Sequence, residues 1–208
     1  SLERAILSPN SSNMQLWEFY WIKNPELKKE FDEYCFNQNA AKTAKHLIVF
    51  VTRQDYWKKR VQWHLNLINK SIQGEPTEAQ KRQLNYYGKL MPLAYSTDQF
   101  GFFATIRRTL STLIGLVRPM MRYSGYADQR VTVHKSCALA AQTFMMSITA
   151  EGFDTCPMEG FDQVRVKKAL QLPKHAEVNM IVSVGKGTPS GTWGERNRVL
   201  YEEVVIVK

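Results

Sequence analysis

The chain has 208 residues, of which 44% are hydrophobic and 23% charged, with a net charge of +9. That balance fits an ordinary globular domain with its own core and excludes a disordered or fibrous chain. No stretch reaches the roughly 18 unbroken apolar residues of a membrane-spanning helix, because the nearest one, residues 102–121, is interrupted by Arg107, Arg108 and Arg118.

In chain order, residues 1–7 read as the end of a helix, followed by the polar loop Ser8-Pro9-Asn10-Ser11-Ser12-Asn13. Residues 16–22 run apolar, as a buried strand does. Asn24-Pro25 is an N-cap followed by proline at the first helical position, and Leu27, Phe31 and Cys35 then share one face. Residues 47–52 are continuous and β-branched, the signature of a covered central strand. A basic, helical insertion follows over about residues 53–126. It carries the stripe Trp57, Val61, Leu65 and Ile68, a capping box at Thr77-Glu78-Ala79-Gln80, and an amphipathic run over residues 102–117. Residues 126–148 make the longest helical pattern. Residues 150–162 read as a connection rich in glycine and carboxylates, after which Asp162 caps a short helix to Leu170. Residues 178–184 and 199–207 complete the pattern as strands. Strands at both ends with helices between predict an α+β fold, one domain over residues 1–208. Neither GxGxxG nor GxxxxGK[ST] occurs, so the usual phosphate-cradling loops are excluded.

The charge is uneven. Between Arg53 and Arg130 thirteen Lys/Arg stand against five Asp/Glu, a local +8. Interleaved Trp57, Trp63, Tyr86 and Tyr87 make nucleic acid a rival partner, though a solvated helical surface is the plainer reading and no nucleic-acid or membrane partner is predicted. Cys35, Cys137 and Cys156 lack CxxC spacing and read as reduced thiols of a cytoplasmic protein. His46, His64, His134 and His175 are scattered, with no metal-ligand spacing, so no metal is predicted.

Three segments carry chemistry. Pro9, Asn10, Ser11, Ser12, Asn13 and Gln15 gather hydrogen-bonding groups on a turn-rich backbone, suited to the polar edge of a heterocycle. In Pro157-Met158-Glu159-Gly160 the glycine permits close approach of a ligand to the backbone. Arg196 and Arg198, at i and i+2 of an extended segment, point the same way, so both forks can grip one phosphate.

In this order, and over most of the chain, the segments resemble the FMN-dependent nitroreductase family. Residues 9–19 are similar to its Pro-Ser-Ser-x-Asn-x-Gln-Pro-Trp-x-Phe pattern, with Leu16 in place of the second proline. Residues 157–162 match its Pro-x-Glu-Gly-Phe-Asp loop. The resemblance implies a mixed, largely antiparallel sheet flanked by helices, with the long helix at a homodimer interface. There Ala138, Ala140, Ala141, Met145 and Met146 are candidates for the dimer core. It also implies FMN held by the three segments and by Asn37, with the Glu159 backbone N–H donating to flavin N5. NADH or NADPH is then the electron donor and a nitroaromatic, quinone or similar flat molecule the acceptor, in ping-pong order. Arg107 or Arg108 is a candidate contact for the dinucleotide phosphate. The family's arginine-rich segment upstream of the first loop is missing from this sequence, in which eight residues precede Pro9, so either an N-terminal piece of the protein lies outside it or Arg196, Arg198 and others hold the phosphate alone. The alternative is therefore a flavin-fold carrier or sensor that binds without turnover.

Overall fold

The computed structural model describes residues 1–96, 101–122, 125–192 and 194–208. It contains helix α1 (Leu2–Ile6), strand β1 (Trp17–Ile22), helices α2 (Pro25–Tyr34) and α3 (Asn39–Lys42), and strand β2 (His46–Thr52). Helices α4 (Trp57–Ser71), α5 (Glu78–Asn85), α6 (Met91–Tyr95) and α7 (Phe102–Ile114) lie in the basic segment that the sequence reads as an insertion, with a π-helical turn at Tyr86–Leu90. The long helix α8 (Tyr126–Ala150) is followed by β3 (Asp154–Met158), α9 (Gln163–Ala169), β4 (Glu177–Gly185) and a short α10 (Tyr201–Val204). No described helix is long and apolar enough to cross a membrane.

The strands form one sheet in the order β1-β2-β4-β3, every pair antiparallel. β2 is central and its side chains alternate between two covered faces. Leu47, Val49 and Val51 join Phe31, Val166 and Ile181 beneath α2 and α9. Ile48 and Phe50 join Val182, Ala140, Ala141 and Phe144 beneath α8. A third cluster ties Met14 and Leu16 to Val61, Met91, Tyr95 and Val133, and so docks the insertion onto the loop before β1.

Local chemistry sets the helix ends as expected. Asn24 accepts from the N–H groups of Glu26 and Leu27, Thr77 and Gln80 form the capping box, and Asp162 accepts from Val164 and Arg165.

Three expectations need correction. The connection over residues 150–162 contains β3. Pro157 sits in it because β3 is the edge of the sheet, where a missing N–H costs no ladder bond. Residues 199–207 are not a strand. Only Tyr201–Val204 is regular, as a helical turn, and its apolar side chains are exposed because no described strand pairs with them. Finally, Ala140 and Ala141 are fully buried against their own sheet, so they cannot form a dimer core, whereas Met146 is 66% exposed.

Candidate functional site

The loop after α1 folds tightly on itself. The Asn10 side-chain oxygen accepts from Gln15 N–H at 2.8 Å, and its amide donates to Ser8 O. Ser11 N–H donates to Ser136 Oγ of α8 at 3.2 Å. Ser12, Asn13 and Gln15 all hold positive φ, 54°, 50° and 48°. That conformation is unfavourable for residues with a Cβ and concentrates where function demands a particular backbone. Neighbours from the insertion hold it. Ser12 Oγ lies 2.7 Å from Tyr86 OH, Tyr87 OH donates to Ser12 O, His64 Nε2 donates to Asn13 O at 2.9 Å, and Arg60 Nε donates to Gln15 O. Burial holds the His64 imidazole below its ordinary pKa of 6.5, against the opposing pull of the Asn13 bond, so the neutral ring is favoured.

A second cluster forms at the end of β3. Met158 is buried, while Pro157, Glu159 and Gly160 are exposed. The Glu159 N–H meets no acceptor among the described residues. Gly160 O accepts from Gln38 Nε2 at 2.6 Å, and Asp162 N–H donates to Tyr34 O at 2.7 Å. These bonds bring the predicted Asn37 beside the loop. Phe36 and Asn37 are both left-handed, and Asn37 N–H caps α2 by donating to Asp32 O.

The structure thus gathers Asn10, Ser11, Ser12, Asn13 and Gln15 in one cluster, with Pro9 exposed at its edge, and Asn37 with residues 157–160 in another. No hydrogen bond or ion pair among the described residues joins the two. Arg196 and Arg198 belong to neither. They lie in an exposed, irregular segment, where Arg198 donates only to Asn197 O. Arg107 donates to the carbonyls of Leu93 and Ser96, tying α7 to α6, and Arg108 is exposed. A cavity of about 800 Å³ lies elsewhere, between α1, α8 and the far end of the sheet. Ile48, Phe144 and Val184 line it and none of the predicted residues does, so volume does not mark the candidate site here.

Sequence reasoning missed Gln38, Arg60, His64, Tyr86, Tyr87 and Ser136, all of which reach these loops from distant elements. The adjacent Tyr86-Tyr87 pair was the available signal. Burial pushes the thiols of Cys35 and Cys137 up to about 11 and about 12, so neither is a poised nucleophile. The exposed, unpartnered Glu159 N–H and the close-approach glycine beside it fit the edge of a flavin ring.

A family model described as the nitroreductase family matches residues 1–186. The chain belongs to the nitroreductase family. Membership places it among FMN-dependent oxidoreductases that use NAD(P)H. The chain is 27% identical to protein DrgA of Synechocystis over 187 residues, covering 89% of this chain and 70% of DrgA. It is 24% identical over 211 residues to a protein of Thermus thermophilus named NADH dehydrogenase, covering 99% of this chain and 82% of that one. In three dimensions it is similar to ydfN of Bacillus subtilis, described as a nitroreductase, with a TM-score of 0.72 at 18% identity, covering 99% of this chain and 84% of that one. These likenesses bear out the α+β nitroreductase fold expected from the sequence.

Proposed function

We propose that this nitroreductase-family chain reduces nitroaromatics, quinones or related flat acceptors in ping-pong order, with FMN held between its two polar clusters in a homodimer. The observation that carries this reading is the Glu159 N–H, which stands exposed and without an acceptor at the end of an edge strand, next to Gly160. A backbone donor fixed by β3 on one side and by the Asp162–Tyr34 and Gly160–Gln38 bonds on the other is preorganised for an electron-rich ring nitrogen. The chain's share of the chemistry is binding and orientation. Asn10, Ser11, Asn13 and Gln15 hold polar edges of the ring and ribityl chain, Asn37 contributes from beside residues 157–160, and Arg196 and Arg198 hold the phosphate. When bound, FMN supplies two-electron transfer between NAD(P)H and the acceptor. Both substrates would use the same site in turn, which would make the order ping-pong. A structural neighbour from Exiguobacterium sibiricum, 20% identical with a TM-score of 0.68 and covered over 83% of its length, was solved in complex with FMN. It supports the choice of cofactor.

The homodimer rests on two features. One chain leaves the clusters unlinked, and α8 exposes Val131, Leu139 and Met146 along one side. A second subunit supplies both a cover for that stripe and the missing half of the site.

The test is the visible absorption spectrum after FMN has been added and the excess removed. Flavin bands that bleach with NAD(P)H without oxygen, and return on adding a quinone, are expected. A protein that retains no flavin, or whose flavin NAD(P)H does not bleach, overturns the reading.

A further inference from the structure

The basic insertion has no role in the reading above, yet it makes the contacts that hold the most distorted part of the chain. We propose that Arg60, His64, Tyr86 and Tyr87 are positioning residues that lock the 10–15 loop in its flavin-binding shape. The proposal rests on the reading that this loop contacts FMN.

Strain and support coincide residue by residue. Three residues of the loop are left-handed without being glycine: Ser12, Asn13 and Gln15. The carbonyls of these same three residues accept from the insertion, at 3.0 Å from Tyr87 OH, 2.9 Å from His64 Nε2 and 3.2 Å from Arg60 Nε. Tyr86 OH adds a fourth bond to the Ser12 hydroxyl. Within the loop, the Asn10 and Gln15 side chains and the backbone bonds Asn13 N–H to Asn10 O and Met14 N–H to Ser11 O also contribute, as does Ser11 N–H to Ser136 Oγ of α8. Left-handed backbone costs a residue with a Cβ of the order of 1–2 kcal/mol, less for Asn13 than for Ser12 and Gln15, so the bonds from outside the loop favour this form.

The donors are themselves fixed. His64 is 4% exposed and stacks on Tyr87 with ring centres 3.9 Å apart and planes 9° from parallel. Trp63 meets His64 edge-on, and Tyr86 meets Tyr87 at 89°. Because a carbonyl cannot donate, the bond to Asn13 O places the imidazole proton on Nε2. Tyr86 and Tyr87 begin the π-helical turn, and although consecutive in sequence both reach Ser12. Such turns recur at functional sites, where they re-aim side chains at little cost to the helix.

The test compares the wild-type protein with the double variant Tyr86→Phe/Tyr87→Phe, which keeps the rings and removes only the two hydroxyls. Two quantities are read: the FMN dissociation constant by flavin fluorescence, and hydrogen exchange of the amides over residues 10–16 without FMN. Loss of two bonds is expected to weaken FMN binding about tenfold and to speed exchange in the loop, with β2 amides unchanged. His64→Leu is expected to act likewise, and His64→Gln, which restores an N–H donor, to recover most of the affinity. Wild-type affinity in the double variant overturns the proposal, as does general loosening that includes β2. Faster loop exchange together with a wild-type protein that retains no FMN overturns it differently, because the failure then lies in the flavin reading and the brace is purely architectural.

Discussion

Arg53 is 6% exposed, yet it carries a full charge at the end of the sheet. It donates to Glu18 at 2.5 Å and to both oxygens of Asp55, and its guanidinium lies 3.5 Å from the centre of the Tyr56 ring. Burial by itself would raise the Glu18 carboxyl, but hydrogen bonds from Tyr56, Arg53 and Tyr20 outweigh it and hold the group below the ordinary 4.5. Burial and the bond to Glu18 push the Tyr20 hydroxyl up to about 12. Because the folded-state value of Glu18 is depressed, its contribution to stability is present above about pH 4.5 and is lost as pH falls through the folded value. Arg53→Ala removes the cation bonded to that carboxylate, which keeps its bonds from Tyr56 and Tyr20, and a loss of about 2–3 kcal/mol is expected at pH 7. Urea unfolding at pH 7 and again below pH 4.5 checks it, since protonating Glu18 should shrink the difference between variant and wild type. Asp162 offers a milder case. Asp162→Ala removes the cap of α9 and should cost about 1 kcal/mol by the same measurement, while its backbone bond to Tyr34 O remains.

At the scale of elements, the sequence revealed what local chemistry decides and concealed what partners decide. Asn24, Thr77 and Asp162 cap helices through bonds to residues two or three positions away, so their side chains announce the helix starts. β2 was legible because coverage on both faces requires an unbroken apolar run. β3 was not. It buries only Met158, contains Asp154 and Pro157, and exists because β4 offers it a ladder. Residues 199–207 show the converse, a strand-like composition without a strand to pair with. In the candidate site, the turn residues and the close-approach glycine were visible, whereas the brace from Arg60, His64, Tyr86 and Tyr87 spans 45 to 75 residues of sequence and leaves no local signal beyond the adjacent tyrosines. Helix α8 shows how alternation on one element separates roles. Phe144 is 3% exposed and packs on Phe50 with ring centres 5.6 Å apart. Phe144→Ala should cost about 3–5 kcal/mol in a denaturant titration, because the rigid sheet beneath cannot collapse into the space.

At the scale of the whole molecule, the described residues turn several apolar stripes outward. Helix α7 packs on its neighbours through Ala104, Arg107 and Ser111, and turns Phe102, Ile106, Leu110 and Leu113 outward, the reverse of a surface helix. On α8, Val131, Leu139 and Met146 form a second outward stripe, and Val199, Leu200 and Val204 to Val207 form a third. Three such surfaces on one chain are the expected face of a subunit, and α8, rigid over 25 residues, is the element best able to carry an isologous contact. Leu139 is 48% exposed near its middle. Leu139→Glu should barely disturb the isolated fold, because the side chain touches no buried cluster, yet it sets two carboxylates against each other across a two-fold axis. Light scattering is expected to give a dimer for the wild type and a monomer for the variant, with far-UV circular dichroism unchanged. If the flavin site is completed by the second subunit, the monomer should also lose FMN. A wild-type monomer that retains FMN would separate the two claims, leaving the cofactor reading intact and removing the dimer from it.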